Sequence, residues 1–448
     1  MNDNKTSKNS IVAKFAVPIS FLILFFLAAN FTDCDLVTFW KRRSHLTDLV
    51  VDMIPPDFSY IQKILLPLFY TIQMSVTGTV LGIFFALVLS PFGAANLGFP
   101  AVIRRILRIV IQILRSFPAL ILALTATFLF GLGTFAGTFA ITLYTFAIMT
   151  KLTYEDASAA DVKAYQALRA MGVSKYVAYI HGILPEIIPG FLTNALYLLE
   201  TNVRHSSILG YVGAGGIGLL LNEKISWLEY DKVGTILLML FLTVCVIEYF
   251  SRYLAALIRK ERTIKKEQAR LLLLFLAALF LICTFTLSLP DFSRTSPQTL
   301  RNMFAGFLQP DWSFFFSAEK DGLGYLLLET VCIAFIGTVI GAIVSAPLAF
   351  LNTKRFVPAP VSFLFNLVIM VIRSVPFLVY GLIFIRVSGP GAFTGVLTLA
   401  VCSIGLLTKR FTEALDALDL RPYHALLAMG VRPLPAICHS VLPQLKPV

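Results

Sequence analysis

The chain has 448 residues, of which 57% are hydrophobic and only 14% charged, and its mean hydropathy is +0.81. So little charge cannot cover a water-soluble surface of this size, and many apolar runs approach or exceed the roughly 20 residues that carry a helix across a bilayer. The alternating pattern of an outer-membrane barrel is absent, so the expected fold class is all-α, a polytopic membrane protein of about ten to eleven transmembrane helices. The net charge of +12 falls between the apolar runs and therefore reads as topology, without nucleic acid as a partner.

In chain order, residues 11–30 form a first span behind Lys5, Lys8 and Lys14. No small-residue cleavage site follows it, so this span is expected to be retained. A polar loop, 31–62, leads to a long second span at 63–91. A basic loop with Arg104, Arg105 and Arg108 precedes a third span at 109–130. Gly131 and Gly133 turn the chain into a fourth span at 134–150. After a polar segment, residues 187–204 are apolar apart from Glu200, Asn202 and Arg204. Residues 205–233 are Gly-rich, 234–254 form another span, and a basic linker runs from Arg259 to Arg270.

The same order then repeats. Residues 271–289 resemble the first span and 290–322 form a polar loop. Residues 325–351 match the second span, with Thr71, Gly78, Thr79 and Gly82 falling on Thr330, Gly337, Thr338 and Gly341. Arg115-Ser116-x-Pro118 recurs as Arg373-Ser374-x-Pro376 within 361–385, and 392–408 matches the fourth span. Duplication at this period is a transporter signature, and with an even number of spans in each half the copies are parallel repeats related by an axis along the membrane normal. The expected halves are 1–262 and 263–448; the first carries a segment after Leu184-Pro185 that has no counterpart before Val448, so the second half reads as truncated.

The polar segment Lys151–Glu186 recurs without a gap as Lys409–Gln444, each copy running from an acidic, alanine-rich start through Ala-Leu-x-Ala-Met-Gly-Val to Leu-Pro. Gly172 and Gly430 follow helical runs as a terminating glycine does, and Pro185 and Pro443 fit the start of the next helix. Glu155 and Glu413 are expected to begin the loop helix, where the helix dipole favours a carboxylate. Counting basic residues puts both loops and the N-terminus in the cytoplasm, with the cluster at 41–43 dissenting.

Other motifs leave alternatives open. Gly213, Gly215, Gly216 and Gly218 include a G-x-G-x-x-G spacing, but no strand precedes it, so close packing or a gate is expected rather than a dinucleotide site. Glu200 and Arg204 stand four apart and can pair on one helix face or sit solvated at the interface. Arg115 and Arg373 suit an anion path or anchor span ends by snorkelling. The six cysteines show no CxxC spacing and read as packing residues, so no metal site or catalytic residue is expected. No phosphate-binding G-x-x-x-x-G-K-[ST] occurs.

The duplicated loop resembles the EAA loop of bacterial ABC importer permeases. Leu196-Tyr197-x-x-Glu200-x-Asn202-x-Arg204, followed by Leu209-Gly210-x-Val212-Gly213-Ala214-Gly215-Gly216-Ile217-Gly218, resembles the phosphonate branch of that family. Asp156 replaces the middle alanine in one copy, and Ala414-Leu415 replaces Ala-Ala in the other. The resemblance implies a permease subunit of the cell inner membrane that translocates phosphonate or a related small anion. Glu155, Ala157, Gly172, Leu184, Pro185, Glu413, Gly430, Leu442 and Pro443 would couple to two ATPase subunits, which would hold ATP and magnesium. A periplasmic or lipid-anchored substrate-binding protein would deliver the solute, membrane lipid would surround the chain, and no cofactor would sit in the chain itself. Arg115, Ser116, Pro118, Tyr197, Glu200, Asn202, Arg204, Arg373, Ser374 and Pro376 would line the path. The alternatives are another small solute, such as phosphate, phosphite or an amino acid; an ion-gradient transporter built around Glu200 and Glu329; or a non-functional remnant.

Overall fold

The computed structural model describes residues 18–34, 36–259, 265–290, 297–309, 311–317, 319–320 and 322–445. Lys5, Lys8, Lys14, the start of the first expected span and parts of the basic linker and of the 290–322 loop lie outside these. Among the described residues every regular element is helical. Among the described residues six helices are long and apolar enough to cross a membrane; three bent pairs and the shorter apolar helix α1 (Pro18–Phe31) are further candidate segments.

The chain forms two compact units, one of residues 52–310 and one of 1–51 with 311–448. They do not coincide with the halves expected at 1–262 and 263–448, because the first helices of the two repeats are exchanged. The helix α13 (Lys266–Phe285), which opens the second repeat, packs on α4 (Ile61–Gly93) of the first. Gln73 of α4 donates to the Cys283 carbonyl at 3.1 Å and to the Thr286 hydroxyl at 2.9 Å. A side-chain amide facing lipid would be costly, so this pair of bonds fixes α13 in place. Conversely, α1 packs on the second repeat: Ala28 is buried with Ile336 and Val396, and Phe21 meets Phe335 edge-on at 5.3 Å.

Each unit is built on one close helix pair. In the first, α4 packs along α7 (Thr134–Ala159) through Gly78 and Gly82. A β-carbon on Gly78 would lie 2.8 Å from Ile141, and one on Gly82 would lie 2.7 Å from Thr145. In the second, α16 (Leu323–Asn352) packs along α19 (Ala392–Ala417), with Gly337 at 2.8 Å from Leu399 and Gly341 at 2.4 Å from Ser403 by the same measure. Lipid supplies no hydrophobic drive between helices, so small residues that let backbones approach provide the packing. The repeat seen in the sequence is thus a repeat of contacts.

The expected third span is not one helix. In the first unit it divides into α5 (Ala101–Ser116) and α6 (Ala119–Phe130), bent by 94°; in the second, into α17 (Ala359–Ser374) and α18 (Phe377–Ser388), bent by 87°. The break sits at the Arg-Ser-x-Pro motif. Proline drives the preceding residue out of the helical region, and Phe117 and Val375 are extended, with ψ of 124° and 125°. One continuous span at 109–130 and its match at 361–385 are each replaced by a near right-angle corner.

Candidate functional site

The duplicated loop is a helical hairpin that returns the chain to the bundle. α7 does not end near residue 150 but continues to Ala159, supported by an ion pair between Lys151 and Glu155 at 3.4 Å. Glu155 therefore lies near the C-terminal end of α7, and Glu413, 3.3 Å from Arg410, near that of α19. Neither begins a loop helix, so the expected gain from the helix dipole does not apply; the alanine-rich stretch simply extends the span.

The turn after α7 is set by Asp161, whose carboxylate accepts the Lys163 backbone N–H at 3.0 Å. That bond, followed by the Lys163 side chain, holds the Asp161 carboxyl below the usual carboxylate range. α8 (Lys163–Ala170) then runs to Gly172, whose φ of +85° lets the Val173 N–H reach back to the Leu168 carbonyl. Ser174 caps α9 (Lys175–Gly182), and after Ile183 the chain enters α10 (Leu184–Leu209), with Pro185 in its first turn. In the second unit α20 (Arg421–Ala428) and Gly430, φ +81°, repeat this turn, and Leu442 with Pro443 begins a short helix in the position of α10.

Both hairpins are seated on small cores. Ala157, Tyr165, Ala178 and Ile183 are buried together in the first, and Leu415, Tyr423, Ala436 and Val441 occupy the same repeat positions in the second. Tyr165 also donates to the Leu97 carbonyl at 2.6 Å. One difference between the copies lies at Gly182. Gly182 presses against the backbone of Tyr165, where a β-carbon would fall 2.8 Å from its nitrogen. Its counterpart is Ser440, and there the helix widens into a π turn over Ile437–Val441. A side chain in a glycine-sized gap accounts for the widening.

What the hairpins present outward is unusual. Met171 is 70% exposed and Met429 78%, each immediately before the left-handed glycine. A large apolar side chain at the tip of a polar loop, placed twice in one geometry, suits a soluble partner with a receptive groove. The Ala-Met-Gly-Val repeat contained this signal, but the glycine drew attention and the methionine did not.

The residues expected along a path separate into three places. Arg115 and Ser116 end α5 and Pro118 leads α6; Arg373, Ser374 and Pro376 do the same at the other corner. Ser116 and Ser374 each donate to the carbonyl three residues back, at 2.7 and 2.8 Å, which satisfies helix ends at the bends. Glu200 and Arg204 of α10 form the expected ion pair, with Glu200 almost wholly buried. Tyr197, on the same helix, is exposed. Asn202 points elsewhere: its amide donates to the hydroxyls of Thr79 on α4 and Thr145 on α7, both at 2.8 Å. It pins three helices together and does not join Glu200 and Arg204.

The glycines form a tight hairpin between α10 and α11 (Ile217–Ser226). Gly213, Gly215 and Gly216 have φ of +84°, +78° and +75°, and a β-carbon on Gly218 would meet the Ser207 carbonyl oxygen at 2.0 Å. The Thr71 hydroxyl accepts the Ile217 N–H at 2.8 Å and seats the hairpin on α4.

The chain is similar to several known transport proteins. A phosphate-import permease protein PhnE of Mycolicibacterium smegmatis is 25% identical over 411 residues, covering 90% of this chain and 76% of that protein. A phosphite transport system permease protein, PtxC of Stutzerimonas stutzeri, is 31% identical over 217 residues, covering 48% of this chain and 79% of that protein. Among solved structures, an inward-facing form of the MetNI methionine ABC transporter aligns over 45% of this chain and 99% of its own with a TM-score of 0.41 and 21% identity. The family described as the binding-protein-dependent transport system inner membrane component matches residues 78–262 and 337–448. Those matches reach into both repeats and cover more than half of the chain, so the chain belongs to the family of binding-protein-dependent transport system inner membrane components.

Proposed function

We propose that the chain translocates a small phosphorus oxyanion, phosphonate first and phosphate or phosphite next, across the inner membrane, with its N-terminus in the cytoplasm. The relatives' names supply the substrate class. Two arginines at symmetric corners, Arg115 and Arg373, supply positive groups able to form charge-assisted hydrogen bonds to an oxyanion. ATP and magnesium belong to two partner ATPase subunits, and a substrate-binding protein delivers the anion on the other side. The observation that carries the coupling reading is the matched pair of hairpins, each anchored by a buried tyrosine and each offering a methionine beside a left-handed glycine.

In this reading, closure of the paired ATPases moves both hairpins together. Gly172, Gly430, Leu184, Pro185, Leu442 and Pro443 fix the hairpin shape, while Ala157 and its counterpart Leu415 bind the hairpins to the spans behind them. Uptake by vesicles holding the chain, the ATPase and the binding protein tests the substrate. Uptake of labelled phosphonate that depends on ATP is expected; uptake of amino acids without phosphonate would overturn the assignment.

A further inference from the structure

Arg104 and Arg108, expected in a basic loop, lie inside α5 instead. With Gln112 and Arg115 they follow one another at spacings of four, four and three residues, which makes a single stripe along the helix. The stripe borders the protein-facing side, where Ile111 is buried. The opposite side carries exposed aliphatics, Ile106, Val110 and Ile113 among them. Ionisable side chains within membrane segments face a bundle interior or a water-filled cavity and mark routes for ions.

Two tyrosines of α7 accompany the stripe. The Arg115 guanidinium lies within electrostatic reach of the Tyr144 and Tyr154 hydroxyls, and the Arg108 guanidinium stands 5.0 Å from the centre of the Tyr154 ring. Arg108 also donates from Nε to the carbonyl of Gly93, the last residue of α4, at 3.0 Å. That bond uses one of the five N–H groups of the guanidinium. It does not require a charge, because in the second repeat the carbonyl of Asn352, the last residue of α16, accepts from the Ser362 hydroxyl at 2.7 Å. Ser362, Asn366 and Met370 stand at the α17 places of Arg104, Arg108 and Gln112, while Arg373 keeps the charge at the corner. The added charges of α5 therefore do not belong to the repeated scaffold.

We infer that the Arg104–Arg108–Gln112–Arg115 stripe is an inner track for the transported anion. An oxyanion leaving the corner at Arg115 passes Arg108 and then Arg104 on its way to the side of the ATPase-facing hairpins. Tyr154 and Gly93, beside Arg108, lie at the helix ends from which that side begins. Each guanidinium presents paired donors that match an oxyanion, and a series of such sites lets the anion move on where one tight site would hold it. The identity of the anion rests on the phosphorus oxyanion reading; the track itself is tested through charge alone.

Charged thiol reagents provide that test. The full chain, freed of its native cysteines and assembled with its ATPase in vesicles, carries Gln112→Cys or, on the aliphatic side, Val110→Cys. Added from the ATPase side, a sulfonate-bearing methanethiosulfonate is expected to modify position 112 about tenfold faster than a trimethylammonium-bearing one. Position 110 should show no such preference. Arg104→Gln should reduce the preference severalfold, and Arg104→Lys should retain most of it. With the binding protein added, Arg104→Gln alone should lower the maximal rate of ATP-driven phosphonate uptake severalfold at unchanged half-saturation, with recovery in Arg104→Lys. Equal modification of position 112 by the two reagents, the same preference at position 110, or an undiminished preference in Arg104→Gln would overturn the inference. A preference for the anionic reagent without phosphonate uptake by the unsubstituted chain would uphold the track and overturn phosphonate as its cargo.

Discussion

The hydroxyl of Thr71 accepts the backbone N–H of Ile217 at 2.8 Å, so a side chain of α4 holds the first residue after the glycine hairpin. Thr71→Val keeps the shape but leaves that buried N–H without an acceptor, which costs about 1–3 kcal/mol. The repeat provides a control: Thr330 is exposed and donates back to the Leu326 carbonyl at 2.8 Å. Thr330→Val should change stability by no more than about 0.5 kcal/mol. Thermal unfolding of the two variants in detergent would show a clear loss for the first and almost none for the second.

Asn202 makes a similar prediction with a different readout. Asn202→Leu removes both donations and leaves the Thr79 and Thr145 hydroxyls in a packed interior. Destabilisation of about 1–3 kcal/mol is expected. Because Asn202 faces away from the Glu200–Arg204 pair, substrate affinity of the protein that does assemble should stay unchanged. A shifted half-saturation for uptake would place Asn202 in the path after all.

At the hairpins, Gly172→Val forces a β-branched residue to φ +85°, a strain of about 1–3 kcal/mol. ATPase recovery on co-purification should fall while membrane insertion is kept. Met171→Asp should lower recovery as well without straining the backbone. The second hairpin already departs from the first through its π turn, so Gly430→Val should have the smaller effect. Full ATPase recovery with the Gly172→Val and Gly430→Val double variant would refute the coupling role.

For orientation, cysteines at Lys163 and at Asp52 give a two-sided test. Labelling of position 163 only from the cytoplasmic side, and of position 52 only from the other, is expected from the distribution of basic residues. Outside labelling at 163 would invert the topology.

Much of this architecture was readable from apolar run length and from the internal repeat. Gly78, Gly82 and their counterparts were visible as aligned glycines, and the structure shows why they align. The Glu200–Arg204 pair was visible from four-residue spacing alone. Three features were not. The right-angle corner at Pro118 depends on tertiary packing that accepts a full break where a proline permits a mere kink. The continuation of α7 through Glu155 was hidden by polarity, since a helix that leaves the membrane loses its apolar signature but not its hydrogen bonds. The opposed directions of Asn202 and Glu200 follow from helical geometry, in which residues two apart face apart; reading the motif as one group concealed this.

The exchange of α1 and α13 also sets an order of events during biogenesis. The partners of α1, Phe335 and Val396 among them, are synthesised some three hundred residues later, so α1 must wait in the bilayer without its neighbours. The first repeat cannot seat Gln73 until α13 has emerged with the Cys283 carbonyl. The unit of residues 52–310 can close once α13 is made, whereas the unit that joins 1–51 to 311–448 must wait for the second repeat, which leaves the aromatic face of α1 open to membrane chaperones and proteases for most of translation.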